Sequence, residues 1–254
     1  EEENFGEFLA NMINVKDTAI INVNSGANIH ADEDVDLVAR VKQTGGMITL
    51  LPQTVNLFNL KLADARINIK GGATIQADAG HVSALAKIQT TVGYEYDDEK
   101  MKEQAIEKGM PVAVTIINND AVVDVARGAT IRTGAVNEKG EVVKTGADIV
   151  LHSESNVKVA TYANSSEKLP SPLDIAATII INTVTTRVDG TLKAGKKVQV
   201  TATGNVKEET VATGSYASGA LSGGYIAVSV VDQNVDAIVG GSAVIGAGAN
   251  LRVA

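Results

Sequence analysis

Ala19-Ile20-Ile21-Asn22-Val23-Asn24-Ser25-Gly26-Ala27-Asn28-Ile29-His30-Ala31, Ala65-Arg66-Ile67-Asn68-Ile69-Lys70-Gly71-Gly72-Ala73-Thr74-Ile75-Gln76-Ala77 and Ala121-Val122-Val123-Asp124-Val125-Ala126-Arg127-Gly128-Ala129-Thr130-Ile131-Arg132-Thr133 are three copies of one phrase. Weaker copies occupy Thr186–Ala194 and Asp236–Ala247. Each copy reads as a strand, a Gly-based corner and a second strand. Self-similarity at a long, fixed phrase points to a stacked repeat architecture, in which each unit buries its apolar side against its neighbours.

Aligned on the apolar residue after the corner, the copies are centred on Ile29, Ile75, Ile131, Leu192 and Ile245. Spacings of 46, 56, 61 and 53 residues separate these positions in turn, so loops of variable length join constant parts. A third strand follows each pair, at Val35–Ala39, Val82–Ala86, Ile149–Ser153, Val198–Ala202 and Leu251–Ala254, and most copies alternate apolar and polar. That is the period-2 signature of a half-buried strand. A fourth piece precedes the later phrases: Thr49-Leu50-Leu51, Thr115-Ile116-Ile117, Thr178-Ile179-Ile180 and Ser229-Val230-Val231. Asn118-Asn119, Asn182 and Asn234 read as the turns that end it, Asn being tolerant of left-handed backbone and able to stack in ladders. A repeat of this length is expected to make two or more coils. About ten coils at ~4.8 Å per step would give a rod of roughly 50 Å.

The fold class expected is therefore all-β, a right-handed parallel β-helix (β-solenoid) with a short helical insert, forming one unit over residues 1–254. The composition agrees. The chain is 44% hydrophobic but only 3% aromatic, without Trp or Cys, and its apolar side is carried by Val, Ile, Leu and Ala, which suit stacked pleated surfaces. A net charge of −8 repels phosphate backbones and argues against nucleic-acid partners. The longest apolar run, Ile175 to Ile181, is broken by Thr178 and is too short to cross a bilayer, so no membrane insertion is expected within this stretch. The chain opens on Glu1 and stops just after a strand-like phrase; it is expected to be a segment of a larger chain, and monomeric.

Three stretches depart from the repeat. Residues 1–18 read as a short helix or a disordered end. Residues 94–110 read as a helix: Asp97 or Asp98 caps it, Met101, Ala105 and Ile106 line one face, Gly109 ends it and Pro111 forbids continuation. Residues 136–145 read as an inserted hairpin turning at Lys139-Gly140. Being non-repeating and polar, the inserts at 94–110 and 136–145 are the expected partner-contact regions.

Candidate chemistry is sparse. Asp32-Glu33-Asp34-Asp36 is the densest acidic cluster; two carboxylates there suit Ca²⁺ or acid–base work, but a solvated corner explains them more simply. Asp97-Asp98-Glu99 reads as a helix start. His30, His81 and His152 fall near the same part of successive repeats, so stacking would bring some of them closer, though no Cys or HExxH pattern accompanies them. Gly71-Gly72, Gly223-Gly224 and Gly240-Gly241 read as corners with positive φ, not phosphate loops. No catalytic residue, cofactor or metal site is assigned.

The stretch Ser218–Gly240 and the Gly-Ala-x-Ile-x-Ala corners followed by Val-x-Val-x-Ala resemble repeat units of large secreted bacterial surface proteins. These are the filamentous-haemagglutinin-like and leukotoxin-type filamentous adhesins and the β-helical autotransporter passengers. The resemblance implies an extracellular or cell-surface stalk or adhesin segment of a bacterial protein, usually right-handed, meeting host glycan or protein. The competing expectations are a carbohydrate-active β-helix enzyme, such as a polysaccharide lyase or hydrolase, and a passive spacer.

Overall fold

Strands that carry the same inward–outward alternation in successive repeats can stack in register, with each apolar side chain directly over its copy. The computed structural model describes residues 16–45, 48–50, 53–55, 58–93, 111–136, 142–165, 173–214 and 224–254. These described residues make five coils. The first holds β1 (Asp17–Val23), β2 (Asn28–Ala31) and β3 (Val35–Gly45). The second opens with a small hairpin, β4 (Ile48–Leu50) and β5 (Gln53–Val55), then runs through β6 (Phe58–Ile69), β7 (Thr74–Ala77) and β8 (Val82–Val92). The third is β9 (Val112–Val125), β10 (Thr130–Thr133), the hairpin β11 (Ala135–Val136) and β12 (Val142–Lys144), and β13 (Ile149–Ser165). The fourth is β14 (Leu173–Val188), β15 (Thr191–Ala194) and β16 (Lys197–Gly214), and the fifth β17 (Gly224–Val239), β18 (Val244–Ala247) and β19 (Asn250–Val253).

Three parallel five-stranded sheets result. Sheet A stacks β1-β6-β9-β14-β17, sheet B stacks β2-β7-β10-β15-β18 and sheet C stacks β3-β8-β13-β16-β19. The phrase sets the register: Ile29, Ile75, Ile131, Leu192 and Ile245 stand in one column of sheet B. Val35, Val82, Ile149, Val198 and Leu251 stand in one column of sheet C. Inward residues of all three sheets, such as Ile67, Ile75 and Ile88, pack into a single apolar cluster and are fully buried. The fold is thus the expected all-β parallel β-solenoid. Among the described residues there is no helix; the expected helix at 94–110 lies outside them.

The coil count differs from expectation. Each repeat is one coil rather than two or more, so four inter-coil steps of ~4.8 Å give a stack about 19 Å tall between its first and last strands. The reason is strand length: β9, β13, β14, β16 and β17 run to 14, 17, 16, 18 and 16 residues. The fourth recurring piece is no separate strand. Thr115, Thr178 and Ser229 share one register row in the N-terminal half of sheet A, and Asn59 fills that row in the second coil. Thr49 lies instead in the antiparallel β4–β5 hairpin. The Asn residues are not turns either: Asn119, Asn182 and Gln233 form a mid-strand column pointing inward, while Asn118 and Asn234 lie in the same strands. Of residues 1–18, Asp17 and Thr18 already belong to β1, and 1–15 lie outside the described residues.

The N-terminal half of sheet A faces the C-terminal half of sheet C, and the space between them is banded. Beyond the main core, Thr90 donates to Asn119 Oδ1 (3.2 Å) and Asn119 Nδ2 donates to Ser155 Oγ (3.2 Å). Next come Val92, Ile117, Val157, Val159 and Ile180. A hydroxyl chain follows, Thr210 to Thr178 to Thr161 to Thr115, at 2.6, 2.8 and 2.9 Å. Ala113, Ala163 and Ala176 form the next apolar band. At the end, buried Asp174 accepts from the Ser165 amide and hydroxyl. These bands use small and β-branched side chains, which explains the scarcity of aromatics: each inward position has one ~4.8 Å storey and a facing sheet to fit.

Corners carry the glycines. Gly26, Gly72 and Gly128 take positive φ at the same point of the A-to-B turn. Of the paired glycines read as such corners, only Gly72 does so among the described residues; Gly71, Gly224, Gly240 and Gly241 have ordinary φ.

Candidate functional site

The outward face of sheet B is built from the variable letter of the phrase. His30, Gln76, Arg132, Lys193 and Gly246 form one column because each follows the inward-facing apolar residue that fixes register. Three of these side chains are wired together through Asp78. His30 Nε2 lies 2.9 Å from Asp78 Oδ1, Gln76 Nε2 donates to the same oxygen at 2.6 Å, and Gln76 Oε1 accepts from Arg132 Nε at 2.8 Å and from Arg132 Nη2. The His30 hydrogen bond, aided by Gln76 and by the Lys144 charge, holds the Asp78 carboxyl below the usual carboxylate range.

At the B-to-C corner the β11–β12 hairpin rises beside this column. Together they enclose a groove of about 390 Å³, lined on its charged side by Arg132, Lys144 and Lys193 and on its floor by Gly146 and Gly195. Lys144 reaches Asp32 at 3.2 Å, a pair in which Asp32 is 81% exposed. Lys193 is exposed and, among the described residues, has no ion-pair partner. Two other recesses are polar, and the first of them is of mixed charge. The one at the A-to-B corner contains the Arg187–Asp189 pair, and the one beside β19 contains His152, which meets Thr201 at 2.8 Å.

The acidic cluster does not converge. Asp32 goes to Lys144, while Asp34 and Asp36 take the two ring nitrogens of His81 at 2.8 and 3.1 Å. Ser83 also donates to Asp36, and chiefly through this bond the Asp36 carboxyl is held below its ordinary value. No group of three or more His or acidic side chains comes together as a cation site among the described residues. The histidines are not brought into register: His30 sits on sheet B, His81 at the following corner and His152 on sheet C, where its row-mates are Leu85 and Thr201.

Elsewhere the outer faces carry polar ladders across coils. On sheet A, Asp64 accepts from Lys16 (2.9 Å) and Arg66 (2.6 Å), and Arg66 also bonds Asp120. Burial outweighs Arg66 at Asp120 and raises its carboxyl above the ordinary value. On sheet C, burial of Glu154 is outweighed by Lys87 and Asn156, which keep it low.

Of the sequence-level inserts, 136–145 is a hairpin in its described strands and walls the groove; 94–110 lies outside the described residues. Arg132, Lys144 and Lys193 were missed. The signal was present for two of them, since the phrase alignment already puts Arg132 and Lys193 in one column. Among the described residues no helix is long and apolar enough to cross a membrane. Comparison with protein-family models, with curated proteins and with solved structures finds no match.

Proposed function

We propose that this chain is a structural stalk or adhesin segment of a bacterial surface or secreted protein, working outside the cell and presenting or forming a binding surface for host or cell-surface ligands. The observation that carries this reading is the separation of wall from decoration. Five coils keep one register through spacings of 46 to 61 residues, and the variation falls in strand length, 11 residues in β3 against 17 in β13, and in hairpins such as β11–β12. Such a scaffold holds side chains at fixed ~4.8 Å intervals while its loops change freely. The likeness of the repeats to filamentous adhesins supports the same reading, with the B-to-C groove as the contact site.

The test is adhesion of the purified chain, immobilised on beads, to a panel of host cells and to a glycan array. Specific, saturable binding is expected, and deletion of residues 137–141, between β11 and β12, should reduce it. Turnover of a polysaccharide in a parallel assay would overturn the reading in favour of a carbohydrate-active enzyme. A flat array with no cell binding would reduce the chain to a spacer.

A further inference from the structure

We infer that the groove at the B-to-C corner is a site for the anionic group of an acidic saccharide, gripped by Arg132, Lys193 and Lys144. The site follows from the geometry alone; a saccharide as the carrier of the anion rests on the adhesin reading above.

Arg132 and Lys193 are direct register neighbours on adjacent parallel strands, so two like charges stand one ~4.8 Å step apart. Like charges opposite one another destabilise a sheet. Among the described residues no carboxylate bonds either cation: Arg132 is held by the neutral Gln76 amide, and Lys193 has no partner. Lys144 closes the third side: its ion-pair partner Asp32 is largely exposed and therefore weakly bound, and its charge also reaches Asp78, which His30 and Gln76 already hold. Lys196 adds an exposed cation just past the groove. A chain of net charge −8 thus carries a local concentration of positive charge around a recess. An oxyanion seated there removes the repulsion and satisfies the Arg132 guanidinium and both ammonium groups at once.

The size and lining narrow the ligand. About 390 Å³ lies at the small end of ligand clefts, roughly 300–1,000 Å³, which suits a short oligosaccharide. Thr145 supplies a hydroxyl to the lining, Thr133 being held by the Ala147 carbonyl and the Gly195 amide, and among the described residues no aromatic side chain lines the groove as a base-stacking platform would require. The overall negative charge also disfavours a long polyphosphate.

Titration calorimetry on the full chain tests this with a uronate trisaccharide, a sulfated trisaccharide, a neutral trisaccharide, inorganic phosphate and a short single-stranded oligonucleotide. The two anionic sugars should bind, the neutral one should not, and binding should fade between roughly 20 mM and 0.5 M salt as screening sets in. K193Q and R132Q should each weaken the anionic sugars about tenfold. Without ligand, K193Q should raise the thermal midpoint, because it removes the repulsion; a misfolded variant would lower it. Failure of both anionic sugars to bind, equal binding by the variants, or a fall in the K193Q midpoint overturns the site. Tighter binding of the oligonucleotide, or phosphate binding as tightly as the sugars, overturns the saccharide. Loss of cell adhesion with intact anion binding counts against the adhesin reading and leaves the groove assignment standing.

Discussion

A methyl group at Gly146 would stand 2.1 Å from the Gly134 nitrogen and 2.2 Å from the Thr133 carbonyl carbon, both backbone atoms. Gly146→Ala should therefore cost about 1–3 kcal/mol, read as a lower denaturant midpoint, since the hairpin corner must open to admit the side chain. An unchanged midpoint would mean that the corner shifts freely. Asn119 and Asn182 make a second residue-scale contrast. They share one inward column and both are fully buried, but Asn119 bonds Thr90 and Ser155, while neither polar atom of Asn182 has a partner. Asn119→Leu should destabilise by about 1–3 kcal/mol by stranding its partners, whereas Asn182→Leu should be neutral or stabilising. Equal losses in the two would refute the distinction. At this scale the sequence was least legible. Asn at an inward mid-strand position looks like Asn in a turn until the facing sheet is known, because the partners that satisfy it, Thr90 and Ser155, come from that sheet, far away in sequence.

Among elements, the parts that repeat were the most legible. The apolar residue after each corner fixed sheet B to the residue, and the third strands fell where the alternation put them. What was hidden was continuity. Inward Thr115 and Thr178 made the first half of each sheet A strand look like a short polar-ended piece, and the coil count doubled as a consequence. Those threonines form one facing-sheet hydroxyl chain. Thr161→Val, at its middle, should cost about 1–2 kcal/mol by leaving the Thr178 hydroxyl without its acceptor. Replacing Thr115, Thr161, Thr178 and Thr210 together by Val should recover most of that loss, because no hydroxyl of the chain is left stranded and Glu208, which Thr210 also contacts, is partly exposed to water. Additive losses over the four positions, measured by denaturation, would show that the chain of hydroxyls does not act as a unit.

For the molecule as a whole, acid is the informative perturbation. The Asp36, Asp78 and Glu154 carboxyls are held low, so their contribution is complete above the ordinary carboxylate range near pH 4 and is lost as pH falls through their lowered values. Asp120 runs the other way: its raised value means that the folded state takes up a proton first, which relieves its burial. The thermal midpoint should hold from about pH 7 to 5 and drop below about 4. Asp120→Asn should be the more stable chain at pH 7, and its advantage should shrink as Asp120 protonates. A pH-independent difference between the two would contradict this. The one-coil repeat has a consequence for extension. Between Ile29 and Ile75 the wall climbs one step of ~4.8 Å while 46 residues pass, and between Ile131 and Leu192 it takes 61. Stretched out, each such turn spans roughly 150–210 Å at ~3.4 Å per residue. Pulled from its two ends, the chain would pay out line in packets of unequal length, one per coil, each step lengthening roughly thirtyfold or more. Hairpin insertions then tune the length of each packet without touching the spool.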